Sequence, residues 1–103
     1  MMTSAKNKMN ISVTEKAHAW FKKEFDLENG DGIRFFGKLY GKTAVHDNYS
    51  LGMQYAQPND VLAQVDVDGV IYFIEKSDEW FFSGYDFHVD YDENADEPLY
   101  SFT

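Results

Sequence analysis

The chain has no cysteine among its 103 residues. That excludes a disulfide framework, a thiolate zinc site, a cysteine-ligated iron–sulfur cluster and a cysteine nucleophile. Basic side chains are scarce after the first third. Residues 1–42 carry eight Lys or Arg and five Asp or Glu, a net +3. Residues 43–103 carry Lys76 alone against thirteen carboxylates, a net −12, and the two parts sum to the formal −9. An acidic surface disfavours nucleic acid and anionic membrane as partners, since both select basic patches. It suits solubility, or the docking of a basic protein partner. Long hydrophobic runs are missing too. The longest apolar stretch, 70–74, is far too short to cross a bilayer. Residues 1–8 lack the apolar centre of a signal peptide. A cytoplasmic location is expected. Residues 1–8 read as a disordered extension ahead of one domain at 9–103, long enough to bury a core without covalent staples.

What is present is apolar and aromatic. Hydrophobic residues make up 44% of the chain and aromatics 17%, which argues against a disordered acidic tail. One segment has helical periodicity. Ala17, Trp20, Phe21 and Phe25 fall at i, i+3, i+4 and i+8. Thr14 sits where an N-cap belongs, with Glu15 in the first turn. Residues 29–32 (Asn-Gly-Asp-Gly) are expected to stop the helix. His18 flanks the apolar stripe and is expected at the rim of the core.

The remainder reads mainly as strand. Residues 33–36 are short and β-prone. Residues 49–55 alternate, with Tyr49, Leu51, Met53 and Tyr55 on one face, and residues 61–67 alternate around Val61, Ala63, Val65 and Val67. Asp68-Gly69 separates this last run from 70–74, the strongest short-range signal for a type I′ hairpin. Asp66 and Asp68 open like a calcium loop, but the later ligands are missing. Residues 76–82 predict a short helix with Ser77 as its cap, broken at Ser83-Gly84. Residues 85–91 alternate strictly, with Tyr85, Phe87, Val89 and Tyr91 toward the core. Residues 98–102 form either a last edge strand or a loose tail. The expected class is mainly β with α, an α+β fold of mostly antiparallel strands with one N-terminal helix packed on it.

The candidate ligands are histidines and their acidic neighbours. Asp86, His88 and Asp90 project from one strand face, about 7 Å apart. One imidazole and two carboxylates suit a divalent first-row ion, provided the strand bends or a loop contributes. His46 lies in a Gly-containing loop, with Asp47 beside it to orient the ring. His46, Asp47, Asp86, His88 and Asp90 are therefore the candidate metal ligands, and no cofactor is expected apart from such a divalent metal. No catalytic set emerges. The serines lack a nucleophile elbow, and Gly37 and Gly41 lack the context of a phosphate loop. A non-enzymatic role is expected.

The order of these signals resembles the HesB/A-type iron–sulfur assembly family. The segment Ile11-Ser12-Val13-Thr14-Glu15-Lys16-Ala17 is similar to the family's entry into its first helix. Gly32-Ile33-Arg34-Phe35, Leu51-Gly52-Met53-Gln54-Tyr55, Asp68-Gly69-Val70, Phe87-His88-Val89 and Ser101-Phe102 resemble its later motifs in order. The resemblance implies a HesB-like β-sandwich or pseudobarrel. The family's three cysteine ligands are absent. The first would fall at His46, and 96–100 replaces the Cys-Gly-Cys tail, as in the cysteine-lacking YneR-like branch. The resemblance therefore implies an accessory or interaction protein related to iron–sulfur biogenesis. A mononuclear metal-binding protein and an acidic docking domain stand as alternatives. Exposed edge strands leave self-association into a homo-oligomer open.

Overall fold

A computed structural model describes residues 9–39, 49–82 and 84–103. The described chain begins with a three-residue strand, β1 (Ile11–Val13), which alternation alone does not mark. Three residues are too few to show a period. The strand is defined by its parallel pairing, with Ile11, Ser12 and Val13 opposite Phe87, His88 and Val89.

Thr14 then caps α1 (Glu15–Phe25), as expected. Its backbone is extended, and its hydroxyl accepts the Ala17 N–H at 3.2 Å. Ala17 and Phe21 are fully buried, while Trp20 and Phe25 are half-buried. The helix stops earlier than the glycine-rich 29–32 predicts. Asp26 adopts a left-handed conformation, φ 54°, which short polar side chains tolerate.

His18 is not a rim residue. Only 5% of its surface is exposed, and Nδ1 lies 2.7 Å from the Tyr72 hydroxyl. The rim placement fails because the partner is 54 positions away in sequence.

The strand β2 (Gly32–Leu39) outgrows the expected 33–36 because its antiparallel ladder continues to Leu39. It runs antiparallel to β3 (Tyr49–Tyr55) and parallel to β5 (Val70–Glu75). β4 (Val61–Val67) and β5 form the expected hairpin. Asp68 and Gly69 have φ of 51° and 85°, both positive as a type I′ turn requires. The Asp66 carboxylate accepts the Gly69 N–H at 2.8 Å, so it serves the turn.

A 3₁₀ turn (Lys76–Asp78) runs into the one-turn helix α2 (Glu79–Phe82). Ser77 lies inside that turn and does not cap it. β6 (Phe87–Asp92) buries Phe87 and Val89 as expected. Tyr85 falls before β6 and stands more than half exposed, which corrects its core placement. β7 (Glu97–Phe102) is an edge strand antiparallel to β6, not a loose tail.

The strands form two sheets, in the orders β1-β6-β7 and β3-β2-β5-β4. They face each other across an aromatic core. Phe35 of β2 meets Phe87 of β6 and Tyr100 of β7, with ring centroids 5.3 and 6.1 Å apart. Phe21 of α1 closes the same cluster against Phe35 and Tyr72. Edge-to-face rings dominate these contacts, the geometry that ring quadrupoles favour. The result is the expected α+β, mainly β architecture. Most pairings are antiparallel, but β1–β6 and β2–β5 are parallel.

Candidate functional site

The five candidate metal ligands divide into two groups. His46 and Asp47 lie outside the described residues. Asp86 lies just before β6, with His88 and Asp90 along it, each already engaged. Asp86 accepts the Asn10 N–H at 3.0 Å. His88 has a hydroxyl partner on both ring nitrogens, Ser12 at 2.7 Å and Thr103 at 2.9 Å. Asp90 accepts the N–H of its neighbour Tyr91. Register explains the first contact, since Ser12 lies opposite His88 on β1, while Thr103 lies two residues past Ser101, the register partner of His88 on β7. Among the described residues, no group of three His, Asp or Glu side chains converges as metal ligands.

A different constellation gathers at the far end of β7. Phe81 of α2 lies 6.2 Å from Phe102, and Tyr85 lies 6.0 Å from the same ring. Trp80 stacks edge-on against Phe81 at 5.6 Å. Trp80, Tyr85 and Phe102 remain 53%, 53% and 40% exposed, which makes this a surface aromatic cluster. Its base is rigid. Phe82 and Phe87 beneath are fully buried. Phe81 sits directly on Gly37 of β2, where even a Cβ would come within 2.4 Å of its ring. A side chain at position 37 would therefore lift α2. Glu79 and Asp86 belong to the same segments as the aromatic rings, so the cluster has acidic neighbours in the chain. Exposed apolar patches with polar rims mark interaction surfaces. The alternation of 85–91 points the wrong way for Tyr85. A usable signal is the run 80–82, three consecutive aromatics in a segment too short to bury them all.

Two further depressions are present. A groove of about 460 Å³ lies between α1 and the β6–β7 hairpin, with Trp20 and Tyr91 in its walls. Lys16 and Glu93 pair across it, and the Trp20 indole N–H donates to the Asp96 carbonyl at 3.0 Å. The Glu93 carboxylate beside it raises the Lys16 pKa, and a hydrogen bond to Asp96 raises that of Tyr91. The second, about 270 Å³, is polar and is lined by Arg34, Gln54, Gln57 and Glu75. There Arg34 donates to Asp78 at 2.6 Å, and Glu75 accepts the N–H groups of Asn59 and Asp60. Lys16, Glu93, Arg34 and Glu75 in these two walls are thus already answered by neighbours. Among the described residues, no helix is long and apolar enough to cross a membrane.

The chain is 40% identical over 94 residues to a Bacillus subtilis protein named Pyruvate dehydrogenase inhibitor, an overlap covering 91% of this chain and 99% of that relative. Uncharacterized proteins of Staphylococcus saprophyticus and Staphylococcus haemolyticus are each 27% identical over 96 residues, covering 90% of this chain and 98% and 97% of theirs. No protein-family model matches the chain. No solved structure matches it. The expected HesB/A-type iron–sulfur assembly membership is therefore corrected: no model of that family matches, and the named relative is an inhibitor. The motifs behind that resemblance are generic. An Asp-Gly pair marks a type I′ hairpin in any β protein, and alternating strands recur wherever one sheet face is buried. With near-complete coverage of both sequences, the chain belongs to the family of the Bacillus subtilis Pyruvate dehydrogenase inhibitor.

Proposed function

We propose that this protein is a non-enzymatic regulator that binds pyruvate dehydrogenase and lowers its activity. The observation that carries this reading is the 40% identity to the inhibitor-named relative across nearly the whole of both chains. The surface supports it in kind. A protein that acts by docking needs a desolvatable anchor with a polar rim, and the Trp80–Tyr85–Phe102 cluster has that form. The engaged state of Asp86, His88 and Asp90 is what a purely structural strand face requires.

The test is direct. The purified full chain is titrated into pyruvate dehydrogenase of Bacillus subtilis while pyruvate oxidation is followed. Activity should fall in proportion to the bound fraction and level off near stoichiometry. Trp80→Ala should weaken the effect by tenfold or more while circular dichroism is unchanged, as loss of an aromatic anchor does. Unchanged activity at a large molar excess of the chain would refute the reading.

A further inference from the structure

We infer that the outer edge of β7 is the docking element, and that an extended segment of the partner enzyme adds to it as a further strand. This rests on the inhibitor reading and specifies how it is carried out.

The backbone settles which groups are offered. In β6, the Phe87 N–H donates to Asn10 and the Val89 carbonyl accepts from Thr14, so these odd positions face β1. The even positions must face β7, and the Thr103 N–H accordingly donates to the Asp86 carbonyl at 3.0 Å. In an antiparallel ladder, hydrogen-bonded and non-hydrogen-bonded pairs alternate. Through the register Asp92↔Glu97 to Phe87↔Phe102, positions 97, 99 and 101 therefore point inward. Pro98, Tyr100 and Phe102 present their backbone groups outward. No strand among the described residues pairs with that side.

Pro98 has no N–H, so it blunts the edge at one end, a common guard on exposed strands. The unguarded end is 100–102, and there the edge meets the aromatic cluster through Phe102. Backbone pairing would supply affinity and the cluster would supply a side-chain pocket, the division of labour in strand addition.

Charge selects the occupant. Glu97 on β7, Asp90 and Asp92 on β6, and Asp86 and Glu79 beside the cluster are all acidic. Residues 43–103 sum to −12 from one basic and thirteen acidic side chains. A second copy would bring like charges together. The fitting occupant is an extended, basic segment of the enzyme carrying one large apolar side chain.

Amide hydrogen exchange of the full chain, alone and bound to Bacillus subtilis pyruvate dehydrogenase, tests this. The Tyr100 and Phe102 amides should exchange at least tenfold more slowly in the complex. Leu99 and Ser101 should already be slow in the free chain. Phe102→Ala should weaken binding at least tenfold with the Leu99 and Ser101 protection retained. A complex that inhibits while Tyr100 and Phe102 stay unprotected overturns the edge inference and leaves the inhibitor reading standing. Protection of those amides in the free chain that grows with its concentration also overturns it, because a second copy then holds the edge. Absence of any complex overturns both.

Discussion

Arg34 and Asp78 are a largely buried ion pair, with N···O 2.6 Å and the guanidinium 5.2 Å from the Phe36 ring centroid. Arg34→Ala strands the Asp78 carboxylate, which is 6% exposed, without its counter-charge. Chemical denaturation should register a loss of about 3 kcal/mol. Tyr100 sets a second expectation. Burial, and then the Glu97 charge, push its hydroxyl up to about 12, and burial raises Tyr72 as well. Below pH 10 both hydroxyls keep their protons in folded and unfolded chains alike. Above it, the unfolded chain loses protons that the folded chain retains, so ionisation favours unfolding. Stability should be intact below about pH 10 and decline as pH rises toward 12, read as falling melting temperatures. Tyr100→Phe should reduce that decline, and an identical decline in the variant would contradict the assignment. Neither behaviour is legible from local sequence. Arg34 and Asp78 are 44 positions apart, and His18 and Tyr72 are 54 apart.

At the scale of elements, local sequence was far more informative, because caps and turns are local physics. Thr14→Ala removes the hydroxyl that accepts the Ala17 N–H, and should cost about 1 kcal/mol in thermal or urea unfolding. Gly69→Ala meets two obstacles. Its φ is +85°, and a Cβ there would fall 1.6 Å from the Asn29 amide oxygen. A loss of roughly 1–3 kcal/mol is expected, with strand pairing at Val67↔Val70 loosened in exchange measurements. The Asp68-Gly69 turn and the Thr14 cap were readable because each is complete within four residues. β1 was not, since its only credential is a parallel partner 76 residues later. Tyr85 was misplaced because strict alternation continues one step past the end of the β6 ladder.

For the whole molecule, the proposed docking makes charge asymmetry the quantity to test. Complex formation between the acidic portion and a basic enzyme surface should weaken as salt rises from 50 to 300 mM, chiefly through a slower association rate. Stopped-flow binding to pyruvate dehydrogenase would show it, and a salt-independent association rate would remove electrostatic steering from the account. The fold class was legible as mainly β with one helix. The pairing of strands into two sheets was not, nor was the convergence of Trp80, Phe81, Tyr85 and Phe102.

The amino-acid sequence by itself settled the absence of thiol chemistry, the acidic second part, the helix start and the hairpin turn. Each depends on composition or on neighbours a few residues apart. Only the tertiary structure decided that His18 is buried, that His88 is held by two hydroxyls, and that no strand among the described residues pairs with the outer edge of β7 beside the aromatic cluster. Those outcomes depend on which distant strands pair, and pairing is chosen by the summed burial of the aromatic core rather than by any local pattern.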